Sequence, residues 1–261
     1  MTEVLSEMFD LKGRCAVVVG GSSGIGRAIA LGLAEAGADV VPSARRASEL
    51  QQTVEAIVTM GRRSLSCASD VRDRASLQTL HDRVIAEFGK VDILVNAAGV
   101  TKLTPTLEVA EEEWERILDT NLNGTLRACQ IFGQSMLARG YGRIINIASL
   151  ASYVAFYGVA AYGASKSAVA SLTRSLAVEW AAKGICVNAI APGIFPTELN
   201  AKILNGTGRG RELMMRTPIG RFGRVEELMG SAVFLASDAA SYVHGQLLAV
   251  DGGFLASGVN Q

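Results

Sequence analysis

The 261-residue sequence has two histidines, four cysteines, five prolines and no net charge. His81 and His244 each stand alone, so neither a zinc centre nor a histidine-based nucleophilic triad is expected, and no metal is assigned. Cys15, Cys67, Cys129 and Cys186 are far apart, contain no C-x-x-C pair and sit among apolar residues. They read as small buried hydrophobes in a reducing compartment. Lys plus Arg number 25, as do Asp plus Glu, so no attraction to nucleic acid or to an anionic membrane is expected. No apolar run approaches the roughly 20 residues that span a bilayer. Residues 1–11 lack a basic region followed by an apolar stretch and do not read as a signal peptide, so the expected location is cytoplasmic. There is no repeat, proline-rich linker or low-complexity tract, and one domain over residues 1–261 is the simplest organisation.

Against these absences, 49% of the residues are hydrophobic and 19% charged, enough to bury a sizeable core. Short β-branched runs alternate with longer helical patterns. Strands are predicted at residues 14–20, 39–43, 64–68, 91–95, 143–148, 185–190 and 247–250. Helices are predicted at 25–36, 49–60, 75–88, 161–182 and 226–236, and over 111–138 with an irregularity at 121–124. The strand runs are continuously apolar, as in strands covered on both faces. Strict β/α alternation predicts an α/β fold: a doubly wound, mostly parallel, seven-stranded sheet with helices on both faces. A (β/α)8 barrel is the competing architecture, but a glycine-rich turn directly after the first strand favours the open sheet.

That turn reads Gly20-Gly21-Ser22-Ser23-Gly24-Ile25-Gly26 and opens a helix. Glycines let backbone approach a pyrophosphate, and the helix N-terminus stabilises its charge. At the end of the second strand, an acid would bond a ribose 2′-hydroxyl and a base would accept a 2′-phosphate. The sequence there is Pro42-Ser43-Ala44-Arg45-Arg46, with no acid, two guanidinium groups and a hydroxyl at Ser43. NADP(H) is therefore expected over NAD(H), although the arginines also suit a solvated pair flanking the next helix.

Tyr162 and Lys166 lie at i and i+4 near the start of a helix and share one face. A nearby ammonium favours a phenolate, so such a tyrosine is expected to have a lowered pKa and to pass a proton to or from a substrate oxygen. Surface Tyr and Lys are common on helices, so the pair needs a third member. Ser149 follows the fifth predicted strand, thirteen residues before Tyr162, where an open α/β sheet binds ligands.

Together these motifs resemble the classical short-chain dehydrogenase/reductase family. The turn matches its T-G-x-x-x-G-x-G, with Val19 at the usual Thr, and Ala44 occupies the place of the Asp carried by NAD-dependent members. The resemblance implies a Rossmann-type fold and the catalytic set Asn121, Ser149, Tyr162 and Lys166, with Asn121 holding a relay water. It implies cofactor contacts from Gly20, Ser22, Ser23, Gly24, Ile25, Gly26, Ser43, Arg45 and Arg46. Further contacts are implied from the Asp70-Val71 pair and from Asn96, Ala97 and Gly99 of an N-A-A-G turn. Pro192, Gly193, Ile194 and Thr197, in a P-G-x-x-x-T pattern, complete the set together with Tyr162 and Lys166.

Residues of about 194–223 are expected to form a mobile lid, in which Lys202, Arg209, Arg211 and Arg216, with Lys102 nearby, suit an anionic substrate. The chain looks most like the gluconate 5-dehydrogenase and deoxygluconate dehydrogenase branch, which implies oxidation of an aldonate or reduction of a keto-sugar acid. A 3-oxoacyl-thioester reductase, a broad carbonyl or steroid reductase, and a non-catalytic NADP-binding sensor are the alternatives. A homotetramer is implied by the family alone.

Overall fold

The structure is a computed structural model and describes residues 2–198 and 200–260. A short helix α1 (Thr2–Phe9) precedes β1 (Cys15–Val19), α2 (Gly24–Glu35), β2 (Asp39–Ser43), α3 (Ala47–Thr59), α4 (Arg74–Phe88) and β3 (Ile93–Asn96). Then come α5 (Glu111–Leu118), a π-helical turn (Asp119–Asn123), α6 (Gly124–Arg139), β4 (Gly142–Ile147), α7 (Ala160–Trp180) and β5 (Ile185–Pro192). The chain closes with α8 (Ala201–Leu204), α9 (Gly208–Met215), α10 (Met229–Ala236) and β6 (Leu247–Val250). Among the described residues no helix is long and apolar enough to cross a membrane.

The strands form one parallel sheet in the order β2-β1-β3-β4-β5-β6. Alternate residues serve opposite faces. Ala16, Val18, Ile93, Val95, Ile145 and Ile190 pack with Ile29 and Leu33 of α2 and Ala232 and Leu235 of α10. Val17, Leu94, Ile144 and Val187 pack with Leu77, Leu80, Phe132, Met136 and Leu176 from α4, α6 and α7. Both faces are buried, which is why the strands read as unbroken apolar runs.

Among the described residues the sheet has six strands, not the seven expected. Residues 64–68 run beside β2 but form no ladder. Val40 donates to the Arg63 carbonyl at 3.1 Å, and Ser69 N donates to the Ala44 carbonyl at 3.2 Å. Pro42 lies midway between them on the same edge by the two-residue period, and its missing N–H interrupts the pairing.

The 121–124 irregularity is the π-turn, which carries Asn121 inward. Within residues 193–223 lie the short helices α8 and α9, and Thr207 caps α9 by accepting from Gly210 N at 2.9 Å. A Cβ on Gly210 would overlap the Leu204 carbonyl oxygen, so this glycine serves the α8–α9 contact.

Candidate active site

The candidate groups converge at the C-terminal ends of β1, β3, β4 and β5, where the order of an open α/β sheet leaves a crevice. Gly20 (φ +87°) leaves β1 against the N-A-A-G turn; a Cβ on it would stand 2.5 Å from Ala98 N. A Cβ on Gly26 would overlap the Gly20 carbonyl, so α2 can start this close only with glycine there. The side chain of Val19 is buried in the core, and its carbonyl accepts from Ala97 N at 2.8 Å, so backbone joins the two turns.

Ser23 flanks the start of α2 without capping it; its hydroxyl accepts from Arg46 Nη2 at 2.9 Å instead. No acidic residue occupies the first turn of α2. The first turn thus carries no acidic side chain of its own, which fits a phosphate group at the positive end of the helix. A Cβ on Gly24 (φ +53°) would lie 3.2 Å from Thr197 Cγ2, placing Thr197 at the same helix end. Gly193 continues β5 and donates to the Val250 carbonyl at 2.8 Å, and Ile194 beyond it packs on an apolar cluster containing Leu150 and Phe254.

Three expected cofactor side chains point elsewhere. The Ser43 hydroxyl is fully buried, donates to the Cys67 carbonyl at 2.6 Å and shares a 2.7 Å hydrogen bond with Ser69. Asn96 turns into the interior, donating to Asn146 Oδ1 at 2.9 Å. Val71 packs its side chain beneath Gly124. Arg45 is exposed, and its charge helps hold Asp70 below the usual carboxylate range, although the main cause is hydrogen bonding from Arg72. Ser22 is buried within the turn, and Ile25 packs on the core face of α2.

The catalytic candidates form one cluster. Ser149 follows β4, and its Oγ accepts from Ala151 N at 3.1 Å, which leaves its own proton to donate. The turn behind it is pinned to α7, since Ser152 Oγ donates to the Lys166 carbonyl at 2.8 Å. Lys166 Nζ donates to the Ile147 carbonyl at 2.6 Å and lies 5.8 Å from the Tyr162 ring centroid. A Cβ on Gly99 would lie 3.6 Å from Lys166 Nζ and 3.5 Å from Asn121 Oδ1, so the N-A-A-G turn runs close to both groups. Asn121 is fully buried; its Oδ1 accepts from Val100 N at 2.8 Å, and its Nδ2 donates to Val100 O at 2.9 Å and to Ser165 Oγ at 3.0 Å. Ser165 in turn donates to the Tyr162 carbonyl at 2.7 Å.

Electrostatics correct one expectation. Burial pushes the Tyr162 phenol up, and hydrogen bonding with Ser149 pulls it partly back; the Lys166 ammonium does not dominate. Burial also lowers Lys166 to about 8. Desolvation disfavours the charged form of both groups.

Of the basic residues expected to meet an anionic substrate, Lys102 is ion-paired with Glu113 of α5. Arg209 Nη1 donates to the Tyr157 carbonyl at 2.9 Å, and Arg216 lies over the Phe254 ring at 5.4 Å from its centroid. Lys202 and Arg211 are exposed. The positioning roles of Ser152, Ser165 and Phe254 had no sequence signal, because serines and a lone aromatic carry meaning only through their tertiary neighbours.

The family model described as Enoyl-(Acyl carrier protein) reductase matches residues 19–255. The 2-dehydro-3-deoxy-D-gluconate 5-dehydrogenase of Dickeya dadantii is 42% identical over 249 residues, covering 95% of this chain and 98% of that protein. The gluconate 5-dehydrogenase of Gluconobacter oxydans is 38% identical over 251 residues, covering 96% and 98%. A crystal structure of a gluconate 5-dehydrogenase from Burkholderia cenocepacia, in complex with NADP and tartrate, superposes with a TM-score of 0.93 at 38% identity, covering 97% of this chain and 99% of that one. With its parallel sheet, glycine turn and clustered Ser149, Tyr162 and Lys166, the chain belongs to the short-chain dehydrogenase/reductase family and is an oxidoreductase acting on CH–OH groups.

Proposed function

We propose that the protein is a cytoplasmic NADP(H)-dependent dehydrogenase that interconverts an aldonate and its keto-sugar acid, in the manner of a gluconate 5-dehydrogenase. The observation that carries the reaction is the meeting of Ser149 and Tyr162 at the end of β4, with Lys166 one turn further along α7. Relatives named for gluconate and deoxygluconate support the substrate class, and the NADP in the Burkholderia structure supports the cofactor.

The nucleotide site fits this reading. Gly20, Ser22, Ser23, Gly24, Ile25 and Gly26 would cradle the pyrophosphate, Arg45 and Arg46 the 2′-phosphate, and Asp70 with the Val71 backbone the adenine. Ala97, Gly99, Pro192, Gly193, Ile194 and Thr197 would line the nicotinamide end. When bound, the nicotinamide supplies or accepts the hydride. Tyr162 Oη takes the proton from the alcohol during oxidation and returns it during reduction. Ser149 Oγ–H donates to the substrate oxygen and stabilises its developing charge. Lys166 favours the phenolate, and the Asn121 turn holds a water through which Lys166 exchanges protons with solvent. Residues of about 194–223 close over the substrate, with the exposed Lys202 and Arg211 available to its carboxylate.

The test is initial rates on one preparation, with gluconate and NADP+ in one assay and an acetoacetyl thioester with NADPH in the other. Turnover of gluconate is expected. Turnover of the thioester alone would move the protein to acyl-thioester reduction.

A further inference from the structure

Arg46 is shared among three partners. Its guanidinium donates to Ser23 Oγ at 2.9 Å, lies 2.7 Å from Glu49 Oε2 and lies 3.6 Å from Glu198 Oε2. Glu49 is three residues away on the first turn of α3 and forms a local strut. Glu198 comes from the far end of the chain, at the root of the 194–223 segment, and its side chain is 82% exposed. It reaches Arg46 because Thr197 is seated against Gly24 at the start of α2. A carboxylate therefore stands beside the glycine turn, on a guanidinium that the nucleotide site would use. Among the described residues Arg45 makes no ion pair, so the two arginines differ in how much positive charge they can offer.

We propose that Glu198 is a specificity-determining residue that competes with the cofactor's 2′-phosphate for Arg46 and so narrows the preference for the phosphorylated nucleotide. This rests on reading the glycine turn and Arg45-Arg46 as a dinucleotide site. A dianionic phosphate arriving at Arg46 must displace the Glu198 carboxylate or sit beside it, within the distance over which salt does not screen the repulsion. The bare 2′-hydroxyl of the unphosphorylated nucleotide meets no such competition.

The experiment titrates NADPH and NADH separately into the full-length wild type, Glu198→Gln, Arg46→Gln and the double variant, following nucleotide fluorescence. Glu198→Gln is expected to tighten NADPH binding by about two- to fivefold, the range of an exposed ion pair, and to leave NADH unchanged. The gain is expected to shrink at high salt and to vanish in the Arg46→Gln background. Equal tightening of both nucleotides would place the effect on the pyrophosphate or the lid and overturn the proposal, as would no change. A wild type that binds neither nucleotide would overturn the dinucleotide reading itself, which separates the two failures. Glu198 is exposed, so its replacement leaves the core intact, and matching thermal unfolding curves check this.

Discussion

At the scale of single residues, chemistry and stability pull in opposite directions at Tyr162 and Lys166. Tyr162→Phe removes the oxygen that carries the proton and keeps the ring. Turnover is expected to fall by about 10²–10⁴-fold while NADPH titration shows retained binding. Turnover at the wild-type rate would remove Tyr162 from proton transfer, and a binding-only protein would show no functional change. Because burial raises the phenol, the wild-type rate of alcohol oxidation is expected to climb with pH into the alkaline range, and the rate of reduction to fall over the same range. Lys166 titrates near 8 when folded against an ordinary 10.5. Between those values the unfolded chain binds more protons, so this residue's contribution to stability improves as pH rises through that window, and its penalty is complete below it. Thermal unfolding of wild type and Lys166→Met at about pH 7 and about pH 10 is expected to show the comparison shifting toward the wild type at the higher pH. A pH-independent difference between the two would contradict the burial of a charged Lys166.

At the scale of elements, the glycine turn is a packing joint as well as a ligand cradle. Gly26→Ala drives a methyl into the Gly20 carbonyl and must push α2 away from β1. It is expected to lose both thermal stability and NADPH binding. Gly61→Ala is the control: its φ is +76° and no heavy atom lies within 4 Å of the added Cβ. It is expected to cost about 1–2 kcal/mol of backbone strain and leave NADPH binding intact. Equal effects of the two on nucleotide binding would mean that the close α2–β1 approach is not what builds the site. Elements also differed in how far sequence reveals them. The break at 121–124 was legible because polar Asn121 and Asn123 with Gly124 interrupt a helical period. The failed third strand was not, because residues 64–68 have an acceptable strand composition and the fault lies in Pro42 on their neighbour.

At the scale of the whole molecule, a sheet buried on both faces makes the core intolerant of truncation. Leu33 and Phe132 are fully buried in its two opposite halves. Leu33→Ala is expected to cost about 2–5 kcal/mol, read as a lowered denaturant midpoint. The outer side of α7 leaves Ala164, Ser167, Ser171 and Val178 exposed, and Trp114 of α5 is 38% exposed. The α7 stripe also exposes Arg174 between Ser171 and Val178, and its small residues suit the close approach of a second copy. Sedimentation is expected to give a particle of four 27.4 kDa chains, and a single 27.4 kDa species would reject the tetramer.

The sequence by itself determined the alternation of strands and helices, the glycine turn and the spacing of Ser149, Tyr162 and Lys166. These depend on local conformation and on short intervals along the chain, which periodicity and residue type record directly. Only the tertiary structure decided which way side chains of equal promise point. Ser43 turns inward where its hydroxyl meets Cys67 and Ser69, Asn96 turns inward where its amide nitrogen donates to Asn146, and Lys102 is ion-paired with Glu113. It also decided that burial, rather than the neighbouring ammonium, governs the Tyr162 phenol, and that Glu198 meets Arg46. Desolvation and long-range pairing are properties of packed neighbours, and no interval in a linear chain encodes them without the fold.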